Sequence, residues 1–198
     1  MNRIIEEVKG CRRCGLWRYR HRPVVGEGDL GATVMFIGEA PGYHEDLQGR
    51  PFVGAAGKLL SELLSSIGLS RDGVYITNVL KCRPPGNRDP RPDEVEACAP
   101  FLDRQIEIIK PRLIVTLGRH STSHILKKMN HPFRSMSTAH GRAFRGRLFR
   151  DQVTVVPTYH PAAVLYNPKY RGAIEDDFRI ISRELKEIQR VRDLRDFT

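Results

Sequence analysis

Four short apolar runs, separated by helical patterns, constrain this fold more than any other feature of the sequence. The runs are Thr33-Val34-Met35-Phe36-Ile37-Gly38, Val74-Tyr75-Ile76-Thr77-Asn78-Val79, Leu113-Ile114-Val115-Thr116-Leu117 and Val153-Thr154-Val155-Val156-Pro157. They are rich in β-branched residues and nearly continuous, the pattern of strands buried on both faces. Leu59, Leu60, Leu63, Leu64 and Ile67 share one helical face that stops at Gly68, and Val95, Leu102, Ile106 and Ile109 form a stripe closed by Pro111. Ile174, Phe178, Ile181, Leu185 and Ile188 mark a C-terminal helix, followed by a charged tail over 190–198. Strands alternating with helices imply an α/β fold, a parallel sheet with right-handed crossovers and helices on both faces. At 198 residues, a single domain over 1–198 is the simplest organisation.

In such sheets ligands bind beyond the carboxyl ends of the strands. Gly38-Glu39-Ala40-Pro41-Gly42 follows the first run, Asn78 ends the second, and His160-Pro161-Ala162-Ala163 follows the fourth. These motifs should converge on one edge. The first lacks the Lys-Ser/Thr of a phosphate-binding loop, and Glu39 would repel phosphate, which argues against a nucleotide hydrolase or transferase. A carboxylate there suits orienting water or stabilising developing positive charge; alone it would be an exposed Glu in a turn. Phe52, between Pro51 and Gly54, either presents a ring face to a planar ligand or packs in the core. Asn78 carries both donor and acceptor and can read the edge of a base, or cap a turn. His160 can donate to an oxygen that gains charge in a transition state.

The chain has four cysteines: a Cys11/Cys14 pair, then Cys82 and Cys98 with fifteen residues between them. Four thiolates suit one metal site, and spacing alone leaves iron–sulfur and zinc both open. Two disulfides are disfavoured because the N-terminus has no signal-peptide shape. Arg83-Pro84-Pro85-Gly86-Asn87-Arg88-Asp89-Pro90-Arg91-Pro92 reads as a rigid surface loop leading from Cys82 toward Cys98. Net charge is +10, from 33 Lys and Arg against 23 Asp and Glu, which favours a polyanionic partner, nucleic acid first. Basic residues gather in Arg12–Arg22 and in Arg142–Arg150, the latter within a small hairpin or loop over 139–150. No apolar run approaches membrane-spanning length.

Taken in order, the Cys-x-x-Cys, GEAPG with Glu45-Asp46, GRPFVG at 49–54, TNVLKCRPPGNR at 77–88, Cys98 and HPAA at 160–163 resemble the family 4 uracil-DNA glycosylases, the thermostable iron–sulfur type. The resemblance runs from about Ile4 to Glu187. It implies a three-layer α/β/α sandwich around a central four-stranded parallel sheet, and a [4Fe–4S] cluster held by Cys11, Cys14, Cys82 and Cys98. It also implies that Phe52 stacks on uracil, that Asn78 reads its polar edge, and that His160 bonds the uracil oxygen that gains charge. Glu39 and Ala40 line the pocket, with Glu39 in the acidic role and Glu45 a second candidate acting through local hydrogen bonds. Tyr43-His44 depart from the family, many of whose members carry acidic residues there. The implied activity is hydrolysis of the N-glycosidic bond of deoxyuridine in DNA, releasing uracil in base excision repair; by its position after HPAA, Val164-Leu165-Tyr166 is expected to wedge into the DNA stack. The expected setting is the cytoplasm, at the nucleoid, as a monomer; a sliding clamp or other repair partner is left open. The alternative is a non-catalytic iron–sulfur DNA-binding or redox protein. That explains the cysteines and the charge, but not four chemistry-bearing residues meeting at one sheet edge.

Overall fold

The computed structural model describes residues 1–196, with side chains described through Val191. Its centre is a six-stranded sheet of β1 (Glu27–Gly28), β2 (Val34–Gly38), β3 (Tyr75–Asn78), β4 (Leu113–Leu117), β5 (Phe144–Leu148) and β6 (Asp151–Thr158), in the order β1-β3-β2-β4-β6-β5. β3, β2, β4 and β6 are parallel neighbours and correspond to the four apolar runs. The four-stranded, all-parallel expectation is corrected at the edges, where β1 lies antiparallel on β3 and β5 antiparallel on β6. β1 is two residues long, too short to carry a period. Residues of β5 alternate between half-buried and exposed, as on a sheet edge with one wet face, so it lacks the continuous apolar run of a central strand.

The helices are α1 (Asn2–Lys9), α2 (Tyr43–Gln48), α3 (Ala55–Ser66), α4 (Pro92–Ile109), α5 (Arg119–Lys128), α6 (Met136–Ala139), α7 (Ala162–Tyr166) and α8 (Tyr170–Asp196). Alternate residues of each strand face opposite sides. Val34, Phe36, Val115 and Val156 pack with Leu60 and Leu64 of α3 and Phe178 and Ile181 of α8. Met35, Ile37, Ile114 and Val155 pack with Leu102 and Ile106 of α4 and Ile125 and Leu126 of α5. Helices therefore cover both faces, giving the α/β/α layering. A third, smaller cluster joins Ile4 and Val8 of α1 to Leu16, Phe101, Cys82 and Cys98. α8 takes in most of the charged segment 190–198, expected as a tail; the side chains from 192 onward lie outside the described residues. Among the described residues no helix is long and apolar enough to cross a membrane.

The basic hairpin does not serve the sheet edge where the motifs meet. Leu148 pairs with Asp151 at the start of β6, so the turn at Phe149–Arg150 lies at the amino end of that strand. His160 lies past its carboxyl end, and seven residue steps of strand separate Asp151 from Thr158, about 23 Å at 3.3 Å each.

Candidate active site

The carboxyl ends of the parallel strands bring the sequence motifs together. Gly38 of β2 pairs in register with Asn78 of β3, and the Gly118 N–H after β4 donates to the Thr158 carbonyl of β6 at 2.8 Å. Between these ends opens a cavity of about 290 Å³, at the small end of ligand pockets. Glu39, Ala40, Phe52, Asn78 and His160 all line it. Gly38 makes this convergence feasible: a Cβ there would lie 2.3 Å from Asn78 Oδ1 and 2.7 Å from Phe52 Cζ.

Each side chain is prepared for a distinct task. Asn78 is buried, and its Oδ1 has no hydrogen-bond partner, an acceptor that folding alone leaves unsatisfied. Its carbonyl is held by Lys81, whose buried Nζ donates to Asn78 O, Thr77 Oγ1 and Gln105 Oε1, each at 2.7 Å. Burial pushes the His160 pKa down to about 4, so the ring is neutral near pH 7. The Ala162 N–H donates to His160 Nδ1 at 3.1 Å, which places the remaining ring proton on Nε2. Glu39 is half-buried, and desolvation raises its pKa, opposed by the nearby His120.

Phe52 occupies a left-handed conformation, with φ of 52°. That is costly for a residue with a bulky side chain, so its surroundings must hold it there. Glu45 Oε1 accepts the Val53 and Gly54 N–H groups at 2.8 and 2.9 Å. Arg71 donates to the Phe52 carbonyl at 3.1 Å and the Pro51 carbonyl at 2.7 Å, and is itself paired with Glu27. Gly57 leaves room for the turn, since a Cβ there would sit 1.8 Å from Phe52 O.

Residues 25–186 match the family model of the uracil DNA glycosylase superfamily. The chain is 53% identical to a type-4 uracil-DNA glycosylase of Saccharolobus solfataricus over 92% of its own length and 85% of that protein. It is 50% identical to the type-4 enzyme of Archaeoglobus fulgidus, over 90% and 89% of the two chains. Identity to a type-5 uracil-DNA glycosylase of Pyrobaculum aerophilum is 35%, over 81% of this chain. The chain belongs to the type-4 uracil-DNA glycosylases.

In this type-4 glycosylase the four cysteines lie together. None is in a disulfide, and all four line one small pocket walled by Val8 of α1, the 11–20 segment, Lys81–Cys82 and Ala97, Cys98 and Phe101 of α4. The Lys81 N–H donates to Cys98 Sγ and Arg20 Nη1 to Cys82 Sγ, both at 3.2 Å. Burial raises the pKa of Cys14 and Cys82 and pushes Cys98 up to about 11. Four thiols gathered in one pocket, two of them buried, suit a cation that replaces their protons. The donor set therefore fits a four-thiolate metal centre.

Sequence reasoning missed several residues of the glycosylase cavity. Asn87 and Arg88 of the Pro/Arg-rich loop reach it, so the loop between Cys82 and Cys98 belongs to both sites. Arg88 is anchored by Glu94, which also accepts the Arg91 N–H and caps α4; a Glu three residues after Arg91, beside Pro92, was the available signal. The exposed Tyr166 lines the mouth, whereas Val164 is buried and cannot wedge. Tyr43 is exposed and carries the Arg83 guanidinium 5.1 Å above its ring.

Proposed function

We propose that this chain removes uracil from DNA by hydrolysing its N-glycosidic bond. The observation that carries this is that Asn78, whose buried Oδ1 has no hydrogen-bond partner, lines one cavity with Phe52 and a neutral imidazole. Uracil offers a donor at N3–H beside acceptor oxygens, and Asn78 offers the complementary acceptor and donor. The nucleotide must leave the stack to reach the cavity, at a cost of a few kcal/mol. Stacking on Phe52 returns about 1–3 kcal/mol, and the exposed Leu165 and Tyr166 are placed to fill the gap in the duplex.

As the bond from N1 to C1′ breaks, its electron pair stays with uracil and charge spreads to the ring oxygens. The sugar becomes oxocarbenium-like. His160 Nε2–H donates a hydrogen bond to the charged oxygen, and because the ring is neutral it stabilises that charge by donation rather than by transferring a proton. A donor of this kind is worth about 3–4 kcal/mol in the transition state. Water adds its oxygen to C1′. Glu39 orients that water and favours the positive sugar, and the proton the water releases passes through the carboxylate or solvent to the uracil anion. Ala40 contributes backbone to the pocket wall. Products are free uracil and an abasic site.

Cys11, Cys14, Cys82 and Cys98 are read as the ligands of a [4Fe–4S] cluster. Held there, apart from the uracil cavity, it would fasten the loop that carries Asn87 and Arg88. The chain is read as a single domain that acts as a monomer on uracil-containing DNA in the cytoplasm.

The decisive experiment incubates the protein with a uracil-containing oligonucleotide and cleaves abasic sites with alkali. Strand scission that disappears in His160→Ala supports the reading. Binding without scission in the wild type would favour a non-catalytic DNA-binding protein.

A further inference from the structure

The carboxyl end of β4 adds a further cluster of charged side chains to this edge. β4 closes on Gly118, and α5 opens with Arg119 and His120 beside the cavity. His120 Nε2 lies 3.7 Å from Glu39 Oε2, 3.4 Å from Asp89 Oδ1 and 3.1 Å from Arg119 Nη2. Arg119 in turn donates to Asp89 Oδ2 at 2.6 Å. Three segments of the chain thus bring one imidazole, two carboxylates and a guanidinium to a single point.

We propose that His120 is the positioning residue for Glu39, and that the Asp89–Arg119 pair holds the imidazole against the carboxylate. The inference rests on the proposed role of Glu39 in uracil excision. Among the described residues, no hydrogen bond fixes the Glu39 side chain, and His120 is the nearest basic group on it. Arg119 and His120 face it from α5 and Asp89 from the loop, while Glu45, Arg88 and the neutral His160 line the same cavity from other elements. Burial favours the protonated carboxyl, Asp89 adds to that, and His120 is the largest influence in the other direction. Arg119 holds Asp89 by Oδ2, which leaves Oδ1 turned toward the imidazole.

The test is single-turnover uracil release, measured against pH for wild type, His120→Ala, His120→Asn, Glu39→Gln and the Glu39→Gln/His120→Ala double variant. Thermal midpoints confirm that each is folded. His120→Ala and His120→Asn should each slow release about fivefold, the upper range for a partly exposed charge pair. The acidic limb of the profile should move to higher pH, because Glu39 loses the neighbour that opposes its burial. In the Glu39→Gln background the same substitution should cost nothing further, since the two residues act as a unit. An equal loss in both backgrounds, or an unmoved limb, overturns the proposal while leaving wild-type release intact. Absence of release from the wild type is a different result: it overturns the function itself, and this inference with it.

Discussion

The rings of Phe52 and His160 lie stacked, with centroids 5.5 Å apart and planes inclined by 27°. Aromatic rings in contact have centroids about 4.5–7 Å apart, so no base fits between these two. They form one wall, in which the stacking surface and the hydrogen-bond donor brace each other. A substitution at either residue should therefore affect both tasks.

Phe52→Ala should cost about 1–3 kcal/mol in transition-state stabilisation, the worth of one base–aromatic stack, and more where His160 also shifts. Phe52→Leu should recover part of the loss by restoring the brace without the π face. Single-turnover release from a uracil oligonucleotide measures both, and equal rates for Phe52→Ala and wild type would remove Phe52 from the site.

His160→Gln should lower the rate about 10²–10³-fold, as for loss of a preorganised donor. The same residue links stability to pH. Its pKa is about 4 in the folded chain against an ordinary 6.5, so between those values the unfolded chain binds more protons. Stability should fall as pH drops from about 6.5 to about 4. Burial also pushes His124 down to about 4, so it contributes over the same window. His160→Gln should flatten a plot of melting temperature against pH in part, not wholly.

Asn78→Asp places a second acceptor where a donor is needed and sets a carboxyl in a buried site. Uracil release should fall by at least about 100-fold, the scale on which a buried polar mismatch discriminates. Assays on matched uracil and cytosine oligonucleotides report whether base choice changes too; unchanged uracil release would end the assignment of Asn78 as the base reader.

Glu45→Ala strips both N–H groups of the Phe52 turn of their acceptor. A lost acceptor for buried donors costs about 1–3 kcal/mol, and the residue beside them is already in a left-handed conformation. Melting temperature and uracil release should fall together, and Glu45→Gln should restore much of both.

The protein should be brown, with visible absorption that is lost on oxidation or on Cys98→Ser, and the loss should lower the melting temperature. A colourless, iron-free preparation of full activity and stability would refute the cluster while leaving the glycosylase chemistry in place.

Much of this was legible in the residues. The four central strands are continuous apolar runs, and the rule that ligands bind beyond strand ends led to Glu39, Asn78 and His160. The same rule applied to Leu113–Leu117 would have led to Gly118-Arg119-His120, but no distinctive motif marked that end. Lys81 was hidden for another reason. A lysine inside a motif reads as a surface charge, and only the fold shows it buried with three oxygens around it. The edge strands β1 and β5 and the short helices α2, α6 and α7 are too brief or too wet to impose a period. Glu45 stood in a noted motif, but its partners, Val53 and Gly54, meet it only once the turn is folded.

The run from Asn78 to Cys82 fixes an exact chain length between two tasks. Asn78 is locked in sheet register opposite Gly38, Cys82 is committed to the cysteine pocket, and Val79, Leu80 and Lys81 alone span the interval. Val79 and Leu80 are further pinned by their N–H bonds to the Gly38 and Glu39 carbonyls, both at 3.0 Å. Substitutions can be absorbed along this stretch, but an insertion or deletion cannot, because one added residue must displace either Asn78 or Cys82. Drift in this family is therefore expected to alter the letters between these two positions and never their number.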